Sequence, residues 1–275
     1  MTDVTHATQV LNNQVVIPTV GLGVWQAARG SQTQNAVRAA VKAGYRHIDT
    51  ARIYGNERDV GEGLRSSGVP RSELFVTTKL WNDDQGYDAA LEAFDASLQR
   101  LGLEYIDLYL IHWPVPTLRL ESWRALERLL DDKRVRAIGV SNFMPHHLDE
   151  LMKHARVKPA VNQIELHPFL QQRDAVAATR RHGIAVEAYS PLVRGQRLSD
   201  PRIVQVAKRL GRTPAQVLLR WGLDQDFIVL PKSVTESRII ENAQVFDFAL
   251  DAEATAALDG LEEGRTTGWD PRSMP

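Results

Sequence analysis

The chain has 275 residues, 43% of them hydrophobic, a formal net charge of -1 and no cysteine. That length can bury one large core. The near-zero charge argues against nucleic acid or an anionic membrane as partner, and the missing cysteines exclude disulfides, thiolate zinc sites, iron–sulfur clusters and a cysteine nucleophile. The eight histidines follow no metal-ligand spacing, and His146, His147 and His182 read as solvated, so no metal is expected. The opening segment Met1–His6 has neither a basic nor an apolar region of signal-peptide type. No apolar run nears the roughly 20 residues needed to span a bilayer. The expectation is a cytoplasmic, monomeric enzyme.

The first predicted element is a hairpin, Thr8–Leu11 and Gln14–Ile17, turning at Asn12-Asn13, which tolerates positive φ. A short apolar strand, Val20–Gly23, leads to a helix over Gln32–Ala43 that stops at Gly44. Strand and helix then alternate. The run Tyr45–Ile48 precedes Asp49, a helix spans Glu57–Ser66, Leu74–Thr78 precedes Lys79, and a helix ends at Gly102. Ile106–Ile111 precedes His112, followed by a helix over Leu118–Leu130. Val135–Val140, Ala160–Ile164, Ile184–Tyr189 and Phe227–Leu230 read as the remaining strands. Their helices are Pro145–His154, Arg173–His182, Pro201–Leu210, a segment capped by Thr213 with Pro214 at its first position, and Thr235–Gln244. A last helix, Ala252–Leu261, is opened by Asp251. Continuously apolar strands alternating with helices point to parallel pairing. Eight such units predict a (β/α)8 TIM barrel with an N-terminal β-hairpin and extra C-terminal helices, one domain over 1–275. A doubly wound open sheet is the competing architecture.

Barrel enzymes carry their chemistry at the C-terminal ends of the strands. Asp49, Lys79 and His112 stand there, and Tyr54 lies in the loop after Asp49. An acid, a phenol, an ammonium and an imidazole in one cleft form a proton-transfer device. Carbonyl reduction needs a hydride donor and a proton donor. Tyrosine, with an ordinary pKa near 10, donates poorly at neutrality unless a cation favours its phenolate. Lys79 is expected to supply that charge, Asp49 to hold the lysine, and His112 to orient the carbonyl by hydrogen bonding. Taken singly, each residue has a plainer reading: a buried Asp49–Lys79 ion pair, a loop tyrosine, a core histidine.

Gly44-Tyr45-Arg46-His47-Ile48-Asp49-Thr50-Ala51 with Tyr54-Gly55-Asn56-Glu57 resembles a signature of the aldo-keto reductase superfamily. So do Leu110-Ile111-His112-Trp113-Pro114, Ile138-Gly139-Val140-Ser141-Asn142-Phe143 and Leu230-Pro231-Lys232-Ser233-Val234. The blocks are collinear over Gly21 to Asn242, and the chain looks most like the compact bacterial members related to diketo-gluconate reductases. The resemblance implies the same roles: Tyr54 as acid/base, Lys79 and Asp49 as its tuners, His112 as orienter. Gly21-Leu22-Gly23 is not a dinucleotide fingerprint, so a dinucleotide must be held another way, and the resemblance implies NADPH/NADP laid across the barrel mouth.

Ser141, Asn142 and Gln163 end two strands and suit a carboxamide, or else pin loops. Tyr189 can stack on a nicotinamide ring, and Ser190 and Leu192 begin a loop over the pyrophosphate. Lys232, Ser233 and Arg238 flank a helix N-terminus, a phosphate site that favours NADP over NAD unless the cations are simply solvated. Val234 lies beside them, and Glu241 and Asn242 carry groups for an adenine. Trp25, Trp81 and Trp113 follow strands and form an aromatic wall suited to a small carbonyl substrate. The short loop after His112 and the short tail 264–275 leave this pocket open. Arg52 reads as solvated or as a lure for acidic substrates. A non-catalytic NADPH-binding subunit, a metal-dependent barrel hydrolase and an NAD-preferring dehydrogenase remain as rivals.

Overall fold

The computed structural model describes residues 3–275, so Met1 and Thr2 of the opening segment lie outside the described residues. Eight parallel strands form one sheet: β3 (Gly21–Gly23), β4 (His47–Asp49), β5 (Phe75–Leu80), β6 (Ile106–Ile111), β7 (Val135–Ser141), β8 (Val161–Glu165), β9 (Ala185–Tyr189) and β10 (Ile228–Leu230). Neighbours in sequence are neighbours in space throughout. The ends meet: Val229 N–H donates to Thr19 O at 2.8 Å, Gly23 N–H donates to Pro231 O at 3.0 Å, and Val20 and Gly23 bridge Val229 and Lys232 in parallel. The sheet is therefore a closed barrel, not an open doubly wound sheet. β5 and β6 are buried at every position, as expected of strands covered on both faces.

Closure demands a close approach at Gly21, where a Cβ would stand 2.7 Å from His47 Nδ1 and from Leu230 Cδ2. The helices α1 (Ser31–Lys42), α2 (Glu57–Arg65), α3 (Tyr87–Leu101), α4 (Arg119–Asp131), α5 (Pro145–His154), α6 (Arg173–Arg181), α7 (Pro201–Leu210), α8 (Pro214–Asp224) and α9 (Glu236–Ala243) lie between and beyond the strands, and α10 (Ala252–Asp259) packs on α7. Local signals set their ends. Thr213 accepts from Gln216 N–H at 3.2 Å while the Gln216 side chain accepts from Thr213 N–H at 3.0 Å, with Pro214 opening α8. Gly102 closes α3 at φ 65°.

The hairpin is present as β1 (Thr8–Val10) and β2 (Val16–Pro18), but its turn is not the expected Asn12-Asn13 pair. Leu11 N–H donates to Val15 O and Gln14 N–H donates to Leu11 O, leaving a three-residue loop with Gln14 left-handed at φ 68°. The asparagines serve elsewhere: Asn12 Nδ2 donates to Pro159 O at 2.8 Å and Asn13 Nδ2 to Arg136 O at 3.0 Å. These contacts seat the hairpin against the N-terminal end of the barrel. There Leu11 and Ile17 join Phe75, Leu108 and Ile228 in a separate apolar cluster. No described helix is long and apolar enough to cross a membrane.

Candidate active site

Parallel strands put all their C-terminal ends on one rim, and the register brings the ionisable groups together. Asp49 ends β4 opposite Thr77, and Lys79 lies two residues further along β5. Lys79 is fully buried and Asp49 nearly so. Lys79 Nζ donates to both Asp49 oxygens at 2.7 Å and to Thr50 O at 2.8 Å. An ammonium has three protons, so this side chain is fully committed.

Tyr54 closes a short 3-10 turn, Arg52–Tyr54, which Gly55 leaves at φ 68°. The turn is pinned from below by buried Asn56, which accepts from Thr50 Oγ1 at 2.9 Å and donates to Val24 O at 3.0 Å. The phenol ring lies over the ion pair, with Lys79 Nζ 5.2 Å from its centroid, and edge-on to His112 at 5.9 Å between centroids. All four expected groups thus share one cleft. The electrostatics correct one expectation, however. The Tyr54 phenol is pushed well above the usual tyrosine value, first by burial and then by the carboxylates Asp49 and Glu187. Lys79 offers it no N–H, and the lysine charge is matched by Asp49. His112 is 8% exposed, its imidazole is held well below the usual value by burial and by Lys79, and its Nδ1 has no partner among the described residues. It stands neutral at physiological pH.

Beneath the rim is a polar layer that the sequence reading missed. Gln163 was expected at a strand end but lies mid-way along β8, paired with Ser141 and Glu187. Its amide nitrogen donates down to Asp49 Oδ2 at 2.9 Å and to Glu187 Oε2 at 2.7 Å. Its donors are thus committed inside the barrel and only its oxygen is left for a carboxamide. Glu187 and His47 are fully buried, and burial pulls the His47 imidazole down to about 3. A charged residue inside the otherwise apolar run Ile184–Tyr189 was the available signal.

The other expected cofactor residues interlock. Ser141 Oγ–H donates to Gln163 O at 2.8 Å, Asn142 Nδ2 donates to His112 O at 3.0 Å, and Tyr189 O–H donates to Asn142 Oδ1 at 2.9 Å. Asn142 and Ser190 leave their strands left-handed, at φ 63° and 51°. Ser190 and Leu192 then enter a short turn in which Val193 and Arg194 both have φ 52°. Lys232 and Arg238 make no ion pair or side-chain hydrogen bond among the described residues, while Ser233 accepts from Thr235 N–H at 3.2 Å just before α9. Val234 packs on the core and Asn242 is buried. Glu241 is less free than expected: its Oε1 accepts from Thr213 Oγ1 at 2.8 Å.

The pocket is not as open as the short tail suggested. Trp269 of the tail lies against Trp81 at 6.2 Å and Trp113 at 5.7 Å, and Trp81 sits edge-on to His112 at 5.3 Å. The tail is tied down where Thr267 N–H donates to buried Glu165 at 2.8 Å and where His147 Nε2 meets Met274 O at 3.1 Å. His147 is therefore buried, not solvated: its Nδ1 also accepts from Met144 N–H at 3.0 Å. Trp25 stands apart under Arg194, 4.3 Å from its ring centroid. Arg52 is half-exposed and 3.4 Å from Asp84. Among the described residues no cluster of histidine, aspartate and glutamate could hold a metal ion.

Residues 19–263 match the model of the Aldo/keto reductase family. The chain belongs to that family. It is 52% identical over 264 residues to a 9,11-endoperoxide prostaglandin H2 reductase of Trypanosoma cruzi, covering 95% of this chain and 93% of the relative. It is 49% identical over 264 residues to a glyoxal reductase of Bacillus subtilis, covering 96% of each. Among solved structures, a mutant of Gox0644 in complex with NADPH superposes with a TM-score of 0.92 at 44% identity, covering 98% of both chains.

Proposed function

We propose that this protein reduces small aldehydes and ketones to alcohols with NADPH, using Tyr54 as the general acid. It is an NADP-dependent oxidoreductase, and the cofactor supplies the hydride. The juxtaposition of Tyr54 and His112 over the buried Lys79–Asp49 pair carries the reading. A phenol whose ionisation is suppressed stays protonated at working pH, so the donor form is always at hand. Transfer remains downhill, because the alkoxide formed on hydride addition is a far stronger base than a phenolate. Lys79 and Asp49 offset each other's charge, so that the phenolate forms beside a paired carboxylate and not a bare one. His112, neutral and sealed at Nδ1, donates from Nε2 to the carbonyl oxygen and sets its approach.

Lys232 and Arg238, unpaired beside the start of α9, have the chemistry for a 2′-phosphate, and Ser233 adds a hydroxyl. Ser141, Asn142, Gln163 and Tyr189 border the nicotinamide position, Ser190 and Leu192 the pyrophosphate, and Val234, Glu241 and Asn242 the adenosine end. Trp81 and Trp113, with Trp269 added, form an apolar wall that suits glyoxal-like dicarbonyls, methylglyoxal, diketo-gluconates and simple aldehydes, while Trp25 stands apart from it under Arg194. We read 1–275 as one domain acting as a cytoplasmic monomer.

Loss of NADPH absorbance on adding a small dicarbonyl tests the reading, with Tyr54→Phe alongside. Turnover that Tyr54→Phe removes supports it. NADPH binding without turnover on any carbonyl would overturn it in favour of a cofactor-binding regulatory subunit.

A further inference from the structure

Inside the barrel the charges do not balance. Two carboxyl groups, Asp49 and Glu187, share one ammonium, Lys79, and of the two Lys79 bonds only Asp49, its third proton going to Thr50 O. Glu187 is fully buried and is linked to Asp49 only through the amide nitrogen of Gln163. Its other oxygen, Oε1, receives no hydrogen bond among the described residues. The nearest basic nitrogen, His47 Nε2, is 3.8 Å away and sits 3.0 Å from Thr77 Oγ1. The groups facing Glu187 are thus His47 and Asp49 from β4, Lys79 from β5 and Gln163 from β8, while Tyr54 feels its charge from above.

We propose that Glu187 is a positioning residue of this site, carried as the neutral acid, which fixes the Gln163 amide with its nitrogen toward the two carboxyl groups and its oxygen toward the cleft. An isolated ionised carboxylate in such a place costs far more than its acid form. Lys79 keeps Asp49 as the ionised partner, so the proton belongs on Glu187, at the oxygen that no donor reaches. Turning the Gln163 amide over would set its oxygen against Asp49, and this is what holds the orientation. The geometry agrees with the electrostatics: burial, and then the Asp49 charge, push the Glu187 carboxyl up to about 8.

A consequence follows for catalysis, resting on the reductase reading. Once ionised, Glu187 adds a second negative charge below Tyr54. The phenol must become phenolate when it gives up its proton, so reduction weakens as pH rises through about 8.

The test uses the full chain and two variants, Glu187→Gln and Glu187→Ala. Infrared difference spectra of the cofactor-free protein across that pH range read the acid directly. A protonated-carboxyl carbonyl band that disappears as pH rises in the wild type, and is missing in Glu187→Gln, is expected. Titration with NADPH, followed by tryptophan quenching, should show binding about tenfold weaker in Glu187→Ala, where Gln163 loses a partner, but not in Glu187→Gln. The alkaline fall in kcat/KM should vanish in Glu187→Gln. A band that titrates identically in wild type and Glu187→Gln would overturn the assignment, as would equal NADPH affinity in all three proteins. Failure of the reductase reading would look different: no turnover in any variant, with the infrared band intact.

Discussion

Removing the ammonium at Lys79 puts the buried layer under the sharpest stress. Lys79→Met keeps most of the side-chain volume but leaves Asp49 with only the Gln163 amide at 2.9 Å. Two unit charges 2.7 Å apart attract by about 6 kcal/mol at an effective dielectric constant of about 20. The burial cost of the lysine offsets part of this, and breaking one side of a buried pair costs about 3–5 kcal/mol. The penalty is expected to depend on pH, and the sign follows from the stranded carboxyl. Burial already raises Asp49 and Lys79 opposes that rise, so the variant's folded-state pKa lies higher still. The loss is then full above that raised pKa, where folding must keep Asp49 charged and unpaired. It shrinks as pH falls and Asp49 becomes protonated in folded and unfolded chains alike. Urea unfolding followed by the fluorescence of the six tryptophans measures it, at pH 8 and again at pH 5. Adding Asp49→Asn should recover most of the loss, because no buried charge remains. A penalty below about 1 kcal/mol, or one independent of pH, would refute the argument.

Tyr54→Phe should lower kcat/KM for carbonyl reduction by about 10²–10⁴-fold, the usual contribution of a general acid, with NADPH affinity held within about twofold. The raised phenol also sets the direction of pH effects: alcohol oxidation, which needs the phenolate, should keep accelerating past pH 10, whereas reduction in Glu187→Gln should hold until that range. Lys232→Ala with Arg238→Ala should weaken NADPH binding by at least about tenfold and leave NADH binding little changed, as seen by fluorescence titration. Glu165→Ala, which releases the tail at Thr267, should raise KM for aromatic aldehydes several-fold by freeing Trp269, with little change for glyoxal. Equal effects on both substrates would place Trp269 outside the pocket wall.

Much of this molecule is legible in its sequence for a simple reason. Strands covered on both sides must be continuously apolar, so a polar residue closing such a run, as Asp49, Lys79 and His112 do, marks the rim where water and chemistry meet. Helix ends were equally local, as the Thr213–Gln216 capping box shows. What stayed hidden was not local. Glu187 lies inside a strand that reads as apolar, and only the register with β8 places it against Gln163 and Asp49. The direction of the Tyr54 shift depends on how the Lys79 protons are shared, which three-dimensional distances alone decide. Trp269 reaches Trp81 from far along the chain through anchors at Glu165 and His147, and neither residue signals that contact in sequence. The hairpin turn fell to a competing principle: three-residue loops take a left-handed third residue, here Gln14, even when an Asn pair precedes it.

The central claim is that this site passes a hydride from NADPH to a carbonyl carbon while Tyr54 supplies the proton. NADPH deuterated at its transferable position, turned over with a small dicarbonyl and analysed by mass spectrometry of the product, tests it most directly. The account predicts an alcohol bearing one deuterium on the former carbonyl carbon, formed far more slowly by Tyr54→Phe. An unlabelled product, or labelling at the same rate in both proteins, would contradict it.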